Sequence, residues 1–321
     1  MTIALDAMGG DFAPEAAIKG ALLAKDALPS DFKLILVGDS TAIKNVLKNL
    51  DTNPETFAIH HAETVIEMGE HPAKAFSQKP DSSIAVGFGL LQSGEAQAFC
   101  SAGNTGAMMV GAMFTVKALP GILRPAIMGY LPKESGKVGV LVDIGANADC
   151  KPEQLNQFAE LGKIYAECIQ DIPSPGVGLL NLGEEEQKGS ILTQAAYQLL
   201  KANPNIRFIG NIEGRDVFTD KADVVVCDGF AGNVITKMAE HFYEILHARG
   251  VKDDFVNSLN YEVVGGSPIV GVDGNVVIGH GVSSPLAIRN MIMVAQKMIA
   301  SDMLNLLKGA LLKSVTLPDD K

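Results

Sequence analysis

The sequence predicts a three-layer α/β fold, with helices on both sides of a mostly parallel sheet, and three observations carry that prediction. Short apolar runs alternate with longer segments of helical spacing from one end of the 321-residue chain to the other. Glycine is abundant at 33 copies, which suits a sheet with many tight strand-to-helix turns. Hydrophobic residues make up 47% and aromatics only 6%, so the core is aliphatic and suits strands buried on both faces.

The spacing places strands at Ile3–Ala7, Lys33–Val37, Phe57–His60, Ala98–Ser101, Val138–Val142, Val177–Asn181, Arg207–Gly210 and Val224–Cys227. Apolar residues three and four apart place helices at Pro14–Ala27, Pro152–Ile169, Ile191–Lys201, Val234–Arg249 and Pro285–Leu307. Three of these begin on proline, which the first helical turn tolerates. A folded domain of this size buries roughly 75% of its unfolded surface, and the length permits one large domain or two lobes.

Charge and composition narrow the class. A net charge of −11 with no dense Lys/Arg run argues against a nucleic-acid partner. Cys100, Cys150, Cys168 and Cys227 are far apart with no C-x-x-C pair, which predicts a reduced cytoplasmic protein. The opening MTIALDAMGGD lacks the basic and apolar regions of a signal peptide. The most apolar stretch, near Met291–Ala300, is broken by Gln296 and Lys297, so no membrane span is expected.

Parallel sheets collect ligands at the C-terminal ends of their strands. Six strand ends here run into Gly, Asn, Asp or Ser. Asp6-Ala-Met-Gly-Gly-Asp11 has two glycines, Gly9 and Gly10, between carboxylates; an ordinary turn with a capping Asp is the alternative reading. Ser101-Ala-Gly-Asn-Thr-Gly-Ala107 puts Gly103, Asn104, Thr105 and Gly106 where a helix begins, a natural anion seat unless Asn104 or Thr105 only caps the helix. The others are Asp143-Ile-Gly-Ala-Asn147, Asn181–Gly189 with Lys188 after three acids, Gly210–Asp216, and Asp228-Gly-Phe-Ala-Gly-Asn233 with Gly229 and Gly232. On spacing alone Lys188 reads as a solvated surface lysine. Six such turns on successive strands predict a ligand site lined by backbone N–H groups, Asn and Asp.

Other chemistries fail on inspection. No G-x-G-x-x-G follows a strand, and there is no Walker A sequence, G-x-S-x-G elbow or H-E-x-x-H. No cofactor and no metal site is expected. His280, in Gly-His-Gly, is the one histidine placed near the site, and a hydrogen-bonded structural role competes for it. The cysteines read as small buried hydrophobes.

The stretches ALDAMGGDFAPE, LVGD, SAGNTGA, LVDIGANAD, LLNLGEEEQKG, GNIEGRD and VVVCDGFAGNV closely resemble the phosphate acyltransferases, which convert acyl-acyl-carrier-protein and phosphate into acyl phosphate for phospholipid synthesis. A weaker match runs through YEVVGGSPIVGV and GHGVSS, so the resemblance spans Ile3 to about residue 300. It implies a fold like the isopropylmalate dehydrogenases and phosphotransacetylases, and a homodimer. It also implies acyl carrier protein and inorganic phosphate as substrates, and coupling to a membrane glycerol-3-phosphate acyltransferase. By the same resemblance, Lys188 and Asn233 match the family's two catalytic residues. Asn233 then suits the oxyanion, Lys188 the phosphate or the departing thiolate, and SAGNTGA the phosphate seat. Asp6, Asp143 and Asp228 are expected to orient loops or donors.

Three departures stand out. The helical excursion at about 238–260 is roughly twenty residues shorter than the family's, judged against ordinary loop lengths. Its segment HFYEILHARGVKDDF offers few of the basic residues that interfacial docking needs, which bears on peripheral membrane association. PAKAFSQKPDSS keeps Lys74 and Lys79 but has Ser77 where the family has arginine, and Gly279 stands where relatives carry lysine. An acidic carrier docking on this acidic chain needs a local basic surface, for which Lys117, Arg124, Lys133 and Lys137 are candidates. The competing functions are a phosphotransacetylase-like enzyme using acyl-CoA, a decarboxylating dehydrogenase, and a carrier-binding module without catalysis.

Overall fold

The computed structural model describes residues 1–315. The chain begins β1 (Thr2–Asp6), α1 (Glu15–Lys25), β2 (Lys33–Gly38), α2 (Ser40–Asn49), β3 (Ala58–His61), α3 (Pro72–Gln78), α4 (Ser83–Ser93), β4 (Ala98–Ser101) and α5 (Thr105–Gly111). A π-helical stretch, Ala112–Val116, extends α5. There follow β5 (Ala126–Pro132), β6 (Val138–Val142), α6 (Pro152–Ile169), β7 (Gly176–Leu180), α7 (Ile191–Ala202), β8 (Arg207–Ile212), β9 (Val224–Val226) and α8 (Gly229–Ala248). Last come α9 (Asp254–Ser258), α10 (Tyr261–Val264), β10 (Ser267–Val270), β11 (Asn275–Ile278), α11 (Pro285–Ala300) and α12 (Met303–Val315).

These elements form two compact units: Met1–Ala118 with Tyr261–Ala300, and Leu119–Asn260 with the chain from Ser301. In the first, the strand order is β3-β2-β1-β4-β11-β10, parallel except for β10, which runs against β11. Ile3, Ala4 and Leu5 of β1 are all fully buried, as a strand covered on both faces must be. Helices α1 and α11 cross closely because Gly20 faces Ile288, where a Cβ would lie 2.5 Å from the isoleucine. Helix α4 comes against the Phe99 ring at Gly87.

In the second unit the order is β5-β6-β9-β7-β8, parallel except for β5. Side chains alternate between its two faces, as strand geometry dictates. Val142 and Val224 meet α6 at Gly162, while Leu131, Leu141, Ile212, Val217, Ala222 and Val225 form a cluster against Ala231 and Ile235 of α8. The three-layer α/β architecture follows.

Two boundaries differ from expectation for a physical reason. Helix α8 starts at Gly229, not Val234, because Asp228 caps it and both its early glycines are packed against a neighbouring turn. The single helix expected at Pro285–Leu307 is two, broken at Asp302, whose φ of 53° leaves the helical region.

Candidate active site

In the first unit, Asp6 ends β1 and lies buried at 1% exposure. Its carboxylate accepts from the Ser101 hydroxyl (2.7 Å) and from Met8 N (2.9 Å), and Ser101 Oγ in turn accepts Gly103 N (2.9 Å). Burial pushes the Asp6 carboxyl above the ordinary carboxylate range. The MGGD and SAGNTGA turns are therefore tied to each other through one carboxylate. Gly9 is packed so tightly that a Cβ would lie 2.5 Å from Asp6 Oδ2. Gly10 takes a φ of 100°, and Asp11 donates its N–H to Gly281 O (2.8 Å) while its side chain is exposed.

Asn104 caps α5 by accepting Ala107 N (2.9 Å), and its amide nitrogen donates to the carbonyls of Glu67, Met68 and Glu70. That side chain is fully committed to the protein. Thr105 is exposed and Gly106 abuts Pro72. The loop around His280 joins the same region: Gly279 N donates to Ser101 O (2.8 Å), and His280 Nδ1 accepts Val282 N (3.4 Å).

In the second unit, Asp143 follows β6 and is fully buried. Its carboxylate accepts Ile127 N (3.0 Å), Gly145 N (3.3 Å), Ala146 N (3.1 Å), Asn147 N (2.7 Å) and Asn147 Nδ2 (3.0 Å). Asn147 also donates to Pro125 O (2.8 Å) and accepts Gly229 N (2.7 Å) on its carbonyl. Asp228 caps α8 by accepting Ala231 N (2.7 Å). Gly229 sits against this turn, where a Cβ would be 2.8 Å from Asp143 Oδ2, and Gly232 abuts the Asp143 carbonyl. Asn233, next in the helix, is exposed, and its Nδ2 lies 3.4 Å from Ile144 O.

Lys188 is exposed in the loop after β7. Among the described residues its ammonium has no hydrogen-bond or ion-pair partner, and two of the three acids before it are engaged elsewhere. Glu184 pairs with Lys221 (2.6 Å), and Glu186 with Lys201 (2.9 Å) and Gln198 (2.8 Å). Two asparagines shape the loop: Asn181 Nδ2 donates to Lys188 O (3.1 Å) and Asn211 Nδ2 to Glu185 O (2.9 Å). The residue pattern points to both segments but does not mark these two asparagines as site residues. The signal was there, an Asn at the end of each of two expected strand regions.

The structure corrects one basic candidate. Lys133 is 3% exposed with Nζ on Val217 O (2.9 Å), so it offers no docking charge; Gly139 leaves the room that draws it inward. Lys137 pairs with Asp220 (3.0 Å), and Lys79 with Glu70 (2.6 Å). Burial pushes the Cys150 thiol up to about 12 and the Cys227 thiol well up, so neither is a ready thiolate. Among the described residues no His, Cys, Asp and Glu group is arranged to hold a metal.

The three-layer α/β body is a fold that known phosphotransacetylases share. A phosphotransacetylase from Streptococcus pyogenes superposes with a TM-score of 0.68 over 94% of each chain, at 18% identity. Closer kinship is in the sequence. A family model described as "Fatty acid synthesis protein" matches residues 1–306. A phosphate acyltransferase of Dictyoglomus turgidum is 45% identical, covering 93% of this chain and 94% of its own, and one of Halothermothrix orenii is 41% identical, covering 96% and 98%. The chain belongs to the phosphate acyltransferase family and is accordingly an acyl-transferring enzyme.

Proposed function

We propose that the protein transfers the acyl group of an acyl-acyl-carrier-protein to inorganic phosphate, giving acyl phosphate for phospholipid synthesis. A phosphate oxygen attacks the thioester carbonyl carbon, and the carbonyl oxygen takes up negative charge. The C–S bond then breaks, and the carrier sulfur leaves as thiolate and is protonated by solvent. Phosphate is itself the nucleophile, so no Ser or Cys acyl intermediate is required. Asn233 is assigned as the donor to the oxyanion, where a preorganised hydrogen bond is worth roughly 3–4 kcal/mol. Lys188 is assigned to the phosphate or the departing thiolate.

The observation that carries this reading is Lys188, an exposed ammonium without a protein partner among the described residues, in a chain 45% identical to a phosphate acyltransferase. A cation left unneutralised at a strand end suits an anionic acceptor or leaving group. The same reading has the enzyme acting in the cytoplasm as a homodimer that hands acyl phosphate to a membrane glycerol-3-phosphate acyltransferase. An exposed apolar stripe on α8 supports the homodimer.

The test mixes purified protein, acyl-acyl-carrier-protein and phosphate, and traps acyl phosphate with hydroxylamine. Phosphate-dependent hydroxamate is expected, falling about a hundredfold in Asn233→Ala and sharply in Lys188→Ala with folding unchanged. A parallel arm with acyl-CoA separates the two donors. Product from the CoA thioester alone would replace the carrier protein in this reading, and undiminished product in both variants would remove the two assignments.

A further inference from the structure

We propose that Asp143 and Gly145 are positioning residues for Asn233: the turn they shape holds the Ile144 carbonyl against one proton of the Asn233 amide and leaves the other aimed outward. The inference rests on the reading of Asn233 as the oxyanion donor and adds what orients that donor.

The geometry begins with the amide itself. Asn233 Nδ2 lies 3.4 Å from Ile144 O. A carbonyl only accepts, so the nitrogen end of the amide must face it and Oδ1 must turn away. The Nδ2 group has two protons, and engaging one leaves the second for a substrate. An exposed asparagine without such a contact samples several rotamers. Holding it removes reorganisation from the step in which charge develops.

Three features keep Ile144 in place. The Asp143 carboxylate, fully buried, gathers four backbone N–H groups and one side-chain amide, so the residues on either side of Ile144 are fixed to one anchor. Being buried, it acts through the turn. Gly145 takes a φ of 143°, and a Cβ there would stand 3.3 Å from Asn233 Nδ2. A methyl group there would press on the amide, which would have to shift by a few tenths of an ångström. On the other side, Gly229 and Gly232 seat the first turn of α8 directly on Asp143 and Asn147, which sets how far Asn233 is from the carbonyl.

A double-mutant cycle tests this. Gly145→Ala should lower kcat by about tenfold or more with the KM for phosphate unchanged, and should do nothing further in an Asn233→Ala background, because the group it acts through is gone. Equal losses in both backgrounds would overturn the inference. Asp143→Asn supplies the same cycle if Gly145→Ala does not fold. A second measurement needs neither variant: the side-chain amide 15N–1H signals of Asn233, identified by their loss in Asn233→Ala. They should be shifted from the values of exposed asparagines in the wild type. Signals at the exposed-asparagine position would overturn the positioning role whether or not the enzyme is active. Absence of acyl phosphate from the wild type would instead sink the functional reading, and the amide signals would still decide the inference.

Discussion

Lys133 shows how much one side chain's environment changes its chemistry. Its ammonium is enclosed below Gly139, where a Cβ would stand 2.7 Å from its Cε, and it donates to the Val217 carbonyl. Burial lowers its pKa from 10.5 to about 8, against the raising influence of Asp223 and Asp220. The folded state thus gives up the proton more readily than the unfolded chain. Between pH 8 and 10.5 unfolding takes up a proton, so this group makes stability rise with pH there and cost most below it. Urea unfolding across that window should show the wild type gaining on Lys133→Met by at most about 1.4 kcal/mol per pH unit. Parallel pH dependences for the two proteins would mean that the lysine is not buried as described.

At the scale of elements, the start of α8 is a packing device as much as a helix. Gly is a poor helix former, costing about 1 kcal/mol relative to Ala, yet two occupy the first turn. The reason is contact: a methyl on Gly232 would strike the Asp143 carbonyl oxygen, and backbone cannot swing aside as a side chain can. Gly232→Ala should therefore destabilise the protein by about 1–3 kcal/mol despite its gain in helix propensity, as overpacked sites do. Denaturant unfolding measures this, and a neutral or stabilising result would show that α8 does not sit on the turn this closely.

For the whole molecule, α8 also presents an outward face. Phe230, Val234, Met238 and Phe242 are exposed at four-residue spacing, Phe230 at 68%. Exposed apolar patches of this kind mark interaction surfaces on soluble proteins. The proposed homodimer gives the stripe an occupant. Size-exclusion with light scattering should find twice the 33.8 kDa chain mass for the wild type and a monomer for Met238→Lys with Phe242→Lys, the fold being retained. A monomeric wild type would leave the proposed dimer without support. Among the described residues no helix is long and apolar enough to cross a membrane.

The sequence by itself determined the layered α/β architecture, because apolar periodicity and strand-end glycines are local signals that survive without neighbours. It marked β4 and β6 and helix α6 at their observed bounds, and quoted every turn that bears a proposed site residue. It did not single out β5, β10 and β11: each runs antiparallel to a neighbour, β10 and β11 are only four residues long, and β5 is interrupted by Gly129 and ends on Pro132. For Lys188 the residue pattern alone favoured a surface lysine; kinship raised it, and only the fold shows that Glu184 and Glu186 are spent on other partners. The tertiary structure alone decided that Lys133 is buried, that Asn104 is a brace, and that Asp143 and Gly145 bound the space of Asn233. Those facts depend on contacts between residues as far as 89 positions apart, as Asn233 and Ile144 are, and no local pattern carries them.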